Sequence, residues 1–288
     1  MRKGRRKSIS NHCEKEDHDH LQVGEKETGV VKVIFLLIKR KSLLFVSALV
    51  AVVASAVPVY ANGQILEQRT IGTSIQGRPI QAYRLGDPKG VTVAIIGVIH
   101  GNEEAGLLIT DELLTADVPK GVNLWVIPTM NPDGTVLNRR GNANKVDLNR
   151  NFPYGWARIG QPGYWQYAGP NRASEPETKA IVGFFREIQP ELGLWYHQDL
   201  NIISPGIGFE GKLRSRYGAI TGLPMKRITG GTYTGVAATW QKRGLKNSMA
   251  FVVELGKTLS IDEAKVHASA VLDISMMLRD SKSSKLDK

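Results

Sequence analysis

Cysteine is almost absent from this chain: Cys13 is the only one in 288 residues, and it sits in a charged stretch near the start. A single cysteine excludes an intrachain disulfide, and beyond residue 13 it excludes both a thiolate nucleophile and a cysteine-held zinc site. Histidine is nearly as scarce. Of six, His12, His18 and His20 share that early stretch, leaving only His100, His197 and His267 for the rest. A metal in the body of the protein must therefore be held by imidazole and carboxylate groups. Aromatic residues make up only 7%, but 42% of the chain is hydrophobic, enough for a substantial core over this length.

Charge is unevenly placed. The net value is +11, and residues 1–61 alone carry eleven Lys and Arg against six Asp and Glu. The remaining modest basic excess suits an anionic wall polymer and a solubilising surface equally well, and it gives no reason to expect a nucleic-acid partner.

The early residues mix both charge signs with little apolar content, which cannot bury enough surface to fold. Residues 1–41 therefore read as a disordered basic leader, or as sequence upstream of the true start. From Ser42 to Ala61 an apolar run follows Lys39-Arg40-Lys41 and ends in small residues, the pattern of a signal peptide cut after Ala61. The expected location is secreted or cell-surface. Membrane contact is expected only through this segment, should it remain uncleaved.

The body reads as one α/β domain over residues 62–280, followed by a tail at 281–288. Ile71 to Leu85 reads as two short strands around a turn at Gly77. Val91–Ile99, Val122–Pro128, Leu192–Tyr196 and Met249–Leu255 are continuous apolar runs rich in β-branched residues, the mark of strands buried on both faces. Helices are expected from about Glu103 to Thr115, from a capping box at Ser174-Glu-Pro-Glu177 to Ile188, and from Ser260-Ile-Asp-Glu263 to about Arg279. Strands alternating with helices predict a single α/β layer structure without internal repeats.

Chemistry gathers where these strands end, which is where open α/β sheets build their sites. His100-Gly-Asn-Glu103 follows one strand, and an imidazole and a carboxylate in one tight turn are both good zinc ligands. Asn131-Pro-Asp-Gly134 follows the next as a turn. The irregular stretch from Arg140 to Pro153 contains Asp147-Leu-Asn149-Arg150, and a guanidinium is the side chain best matched to a carboxylate. His197 and Glu254 each close a buried strand. Taken singly, each also has a structural reading: a core histidine, a buried ion pair, a turn.

In this order, the five elements together resemble the zinc carboxypeptidase family typified by carboxypeptidase A, in particular its short bacterial branch of murein peptide amidases. The resemblance runs from about Ile71 through Leu255. It implies a mixed, twisted sheet of about eight strands between helices, and one zinc ion per chain. His100, Glu103 and His197 would be the metal ligands, with Asp147 accepting the other ring proton of His100. Arg140 would stabilise the oxyanion, Asn149 and Arg150 would grip a substrate carboxylate, and Glu254 would serve as general base and then acid. The chain departs from the family pattern at Lys145, where a glycine often precedes the Val-Asp-Leu-Asn run. It departs again at Gly231, nine residues before Trp240, where the digestive enzymes place a substrate-covering tyrosine; Tyr233 is the substitute. Asn62–Thr70 is too short for an inhibitory prodomain, so an already competent enzyme is expected.

The implied activity is cleavage of an amide bond next to a free carboxylate, with a peptide or peptidoglycan-derived substrate and the bond between D-glutamate and diaminopimelate as leading target. General carboxypeptidase action, hydrolysis of acylated amino acids in the manner of aspartoacylase, and wall binding without catalysis are the competing readings. His267 matches no motif and reads as structural or solvated.

Overall fold

The computed structural model describes residues 65–231 and 233–286. The basic leader, the apolar run at 42–61 and the cleavage position at Ala61 lie outside the described residues. Within them, no helix is long and apolar enough to cross a membrane.

Six strands form one sheet: β1 (Ile65–Thr73), β2 (Pro79–Gly86), β3 (Val91–Val98), β4 (Val122–Thr129), β5 (Leu192–Gln198) and β6 (Met249–Leu255). Their spatial order is β1-β2-β4-β3-β5-β6. The β1–β2 and β2–β4 pairs are antiparallel, and β4, β3, β5 and β6 are mutually parallel, so the sheet is mixed. Among the described residues the sheet has six strands, where about eight were expected. Beyond β6, Ile202 and Ile203 make only isolated bridges, to Glu254 and Met225, in place of further strands.

Because successive side chains on a strand face opposite ways, the apolar runs feed two cores. Val93, Ile95, Leu194, Tyr196, Phe251 and Val253 face one way. There they meet α1 (Ala105–Leu114), α4 (Gly208–Thr221) and α6 (Ile261–Leu286). Ile96, Trp125, Ile127 and Trp195 face the other, against α3 (Pro176–Ile188) and α5 (Ala237–Gly244). The result is the expected α/β/α sandwich.

Local signals fared differently at the two expected capping boxes. Ser260 and Glu263 form theirs, with Glu263 N donating to Ser260 Oγ at 3.2 Å and Ser260 N to Glu263 Oε2 at 2.7 Å. Ser174 does not cap α3: its hydroxyl donates to Glu175 Oε1 and accepts from Asn151 Nδ2 at 3.0 Å. A buried asparagine thus captures the serine, and Pro176 opens the helix in its place.

Candidate metal centre and active-site cleft

The parallel pairing of β5 with β6 sets His197 directly beside Glu254. Adjacent β3 delivers Ile99 and His100 at the same carboxyl edge, and the turn that follows returns Glu103 before α1 begins. That turn depends on Gly101, because a Cβ there would stand 1.9 Å from the carbonyl carbon of Gly134. Gly134 belongs to α2 (Pro132–Val136), which Asn131 caps by accepting from Gly134 N at 3.0 Å. Asn131 also donates to Ile99 O at 3.1 Å and Arg140 O at 3.3 Å, tying the histidine strand to the arginine. The Asn-Pro-Asp-Gly turn is thus a brace. Its Asp133, fully buried, accepts from Ser74 Oγ at 2.7 Å and from Arg78 Nη1 at 2.6 Å, anchoring the β1–β2 hairpin.

His100, Glu103 and His197 each point one ligand atom at a common centre, all within 4.8 Å of one another. His100 Nδ1 lies 2.8 Å from Glu103 Oε1 and 3.1 Å from His197 Nδ1, which is itself 2.9 Å from Glu103 Oε2. At these separations the facing nitrogen and oxygen atoms can be joined only by protons on the rings or by a shared cation. The donor set, two imidazoles and a carboxylate with water access from the cleft, fits a zinc ion.

The surrounding groups orient these ligands. His100 Nε2 lies 3.0 Å from Asp147 Oδ1, leaving Nδ1 to face the centre. Asp147 is fixed in turn by Asn149 N at 2.9 Å and by Arg140 Nε and Nη2 at 3.1 and 3.0 Å. Arg140 Nη1 also donates to Glu103 Oε1 at 2.9 Å. Gln198, next to His197, donates its backbone N–H to Glu103 Oε2 at 3.2 Å and accepts from Ala105 N at 2.9 Å, joining the strand end to α1. Burial opposes charge on His100, Glu103, Asp147 and His197. Even so, His100 and His197 hold Glu103 well below the usual carboxylate range, and His100 with Arg140 does the same for Asp147. Asp147 and Glu103 overcome burial to raise His100, whereas burial wins at His197 and lowers it.

Glu254 differs. Its side chain makes no hydrogen bond to any described residue, and burial, reinforced by Glu103, pushes its carboxyl up to about 7. It lines a cleft of about 770 Å³ shared with the three ligand residues, Arg140, Asn149, Arg150 and Tyr233. Asn149 is held by Ala237 N donating to its Oδ1 at 3.0 Å. Arg150 is only 3% exposed, yet it forms no ion pair with a described residue, and its buried Nε has no partner. The ring of Tyr233 covers it, with the guanidinium carbon 5.4 Å from the ring centroid.

The structure thus gathers in one cleft every site residue picked from the sequence, with Asp147 directly behind His100. The loop at Lys145 keeps the shape a glycine would give it: Lys145 has φ +61°, in the left-handed region. Sequence reasoning missed several lining residues. Trp165, 59% exposed, stacks on Arg140 with 5.2 Å from guanidinium carbon to ring centroid. Gln198 had only its adjacency to His197 to signal it. Arg214 and Lys242 come from helices without any motif.

Comparison with known proteins agrees with this geometry. A family model described as zinc carboxypeptidase matches residues 59–207. Murein peptide amidase A of Escherichia coli is 32% identical over 143 residues, covering 46% of this chain and 59% of that protein. Carboxypeptidase SOL1 of Arabidopsis thaliana is 31% identical over 137 residues, covering 42% of this chain and 26% of that protein. The chain therefore matches well under two thirds of either relative's length. The crystal structure of murein-tripeptide amidase from Escherichia coli superposes with a TM-score of 0.61 at 24% identity, over 77% of this chain and 94% of that one, a likeness of fold.

Proposed function

The chain belongs to the zinc carboxypeptidase family, and on that premise we propose that it is a zinc metallopeptidase hydrolysing an amide bond next to a free substrate carboxylate. The observation that carries this reading is Arg150, a buried guanidinium in the same cleft as the metal centre, whose Nη1 donates to Asn149 O at 2.8 Å while its Nε has no partner and no acid among the described residues forms an ion pair with it. Asp147 acts on Arg150 from a distance but forms no ion pair with it, and burying a cation without a directly bonded acid is costly, so such a site suits an anionic ligand. A carboxylate suits the fork of donors, with Asn149 beside it and Tyr233 above.

Zinc held by His100, Glu103 and His197 would supply a Lewis acid that acidifies water and polarises an amide carbonyl. Glu254 takes a proton from the attacking water and delivers it to the departing amine nitrogen as the carbon–nitrogen bond breaks. A carboxyl raised to about 7 suits both transfers, since it gains and releases a proton near neutral pH. Arg140, locked by Asp147 and Glu103, presents fixed positive charge where the carbonyl oxygen becomes negative. Arg150 and Asn149 set the scissile bond by holding the carboxylate beyond it.

Within this class the proposal extends to cell-wall peptides cut between D-glutamate and diaminopimelate. The resemblance to murein peptide amidase A and the export signal read in residues 42–61 support that extension. The test compares L-Ala-γ-D-Glu-meso-diaminopimelate, and an ordinary dipeptide, with the same compounds amidated at the terminal carboxylate. The free acids should be cleaved at least about 100-fold faster than the amides, and Arg150→Met should erase the difference. Equal cleavage of acid and amide by the wild type contradicts the reading. Cleavage of the dipeptide alone leaves carboxypeptidase action and removes the wall substrate.

A further inference from the structure

The cleft does not stop at the metal and Arg150. It runs back along β6 past Val252 and Phe251 to Ala250, four residues before Glu254, or about 13 Å at the rise of a strand. At that far end stand two cations from different helices, Arg214 of α4 and Lys242 of α5. Arg214 reaches the free edge of β6, donating to Ala250 O at 3.3 Å and to Ser204 O at 2.8 Å, with its guanidinium 5.2 Å from the centroid of the Phe251 ring. It is 9% exposed, and its Nε is buried without a partner.

The charge at this end does not cancel. Arg214 Nη2 and Lys242 Nζ both donate to the same atom, Glu210 Oε1, the latter at 2.9 Å. Two cations sharing one carboxylate leave a unit of positive charge. Arg214 and Lys242 stand between two spaces, lining the cleft on one side and, with Glu210, Pro205 and Ile207, a neighbouring recess on the other; Glu210 itself does not line the cleft. Asp199 is the other acid on the cleft wall besides Glu103 and Glu254, and it acts on Glu254 at the opposite end.

We propose that Arg214 and Lys242 are specificity-determining residues, forming a subsite for a second acidic group on the side chain of the residue that the enzyme releases. This rests on the carboxylate-directed amide hydrolysis proposed above, with Arg150 taking the terminal carboxylate and Arg214 and Lys242 taking the additional one. The substrate class is then a peptide ending in a dicarboxylic amino acid. A glutamate side chain or the longer chain of diaminopimelate meets the requirement; leucine, glutamine and lysine do not.

The test uses the full chain and peptides identical except for the last residue: glutamate, its neutral isostere glutamine, lysine or diaminopimelate. The dicarboxylic residues should exceed glutamine in kcat/KM by at least about tenfold, as expected where charge-assisted hydrogen bonds are satisfied by one substrate and left open by the other. Lys242→Met and Arg214→Gln should each reduce that ratio several-fold while the requirement for a free terminal carboxylate persists. Lys242 is half-exposed, so its variant keeps the comparison available if the Arg214 variant does not fold. Binding of the same peptides to the Glu254→Gln protein reads the preference without turnover, so failure to cleave any peptide counts against the proposed function alone. A ratio near one, a preference for lysine, or a ratio unchanged in both variants overturns the proposal.

Discussion

Asp147 and His100 form a buried pair, with Oδ1 of the carboxylate 3.0 Å from Nε2 of the ring, and this contact turns the other ring nitrogen toward the metal centre. Asp147 is 47 residues from His100 in sequence and reaches it by capping the 3-10 turn at Leu148–Arg150. The same carboxylate holds Arg140, so one acid aligns a metal ligand and the cation that faces the reacting carbonyl.

Asp147→Asn keeps the shape and removes the charge. Zinc affinity should fall about 10- to 100-fold, as for other partners of metal-bound histidine. A competitive chelator titration measures it, and unchanged affinity would show that the contact is incidental.

Gly101→Ala should be severely destabilising. The added Cβ meets backbone, the Gly134 carbonyl carbon at 1.9 Å, so no side chain can move aside. A loss of more than about 3 kcal/mol is expected, at or beyond the upper end for overpacking. Urea unfolding checks it, and a midpoint close to wild type would mean that the His100 turn is looser than its geometry implies.

Lys145→Gly should stabilise the protein by about 0.5–1 kcal/mol. Lysine at φ +61° carries the steric cost of the left-handed region, which exceeds the entropy that glycine adds to the unfolded chain. The side chain is exposed, so little packing is lost. Lys145→Val should destabilise, and thermal melts of the two variants should move in opposite directions.

His267 predicts a pH dependence of stability. It is buried beneath the sheet, with Nδ1 2.7 Å from the Tyr217 hydroxyl, which is 2.8 Å from that of Tyr196. Burial lowers its pKa to about 4 from an ordinary 6.5. The unfolded chain therefore binds the proton first as pH falls, so this group's contribution is complete above about 6.5 and is lost progressively between 6.5 and 4. The full loss is about 3 kcal/mol. His267→Gln retains a hydrogen-bonding group and should flatten the slope in urea midpoints taken across that window; identical slopes would place the charged ring in solvent.

The sequence made the central strands and the site legible for the same reason. Uninterrupted β-branched runs indicate strands buried on both faces, and the parallel pairing of β3, β5 and β6 brings the polar residues that close them, His100, His197 and Glu254, to one edge of the sheet. What it hid depended on contacts between distant segments. Ser174 looked like a helix cap until Asn151 competed for its hydroxyl, and Asp133 looked like a turn residue until the β1–β2 hairpin folded onto it. Arg214 carried one faint signal, a glutamate four residues earlier on the same helix face, which is equally common on solvated helices. Among the described residues six of the expected eight or so strands are formed, and the segment after β5 adds only single bridges.

The most direct test of the account is zinc content measured alongside wall-peptide hydrolysis in the full-length wild type and in Glu254→Gln. The account predicts one zinc per chain in both proteins and a fall in kcat of several orders of magnitude in the variant alone, because Glu254 moves the proton and does not hold the metal. Turnover near wild type in Glu254→Gln, or loss of zinc together with activity, would contradict it.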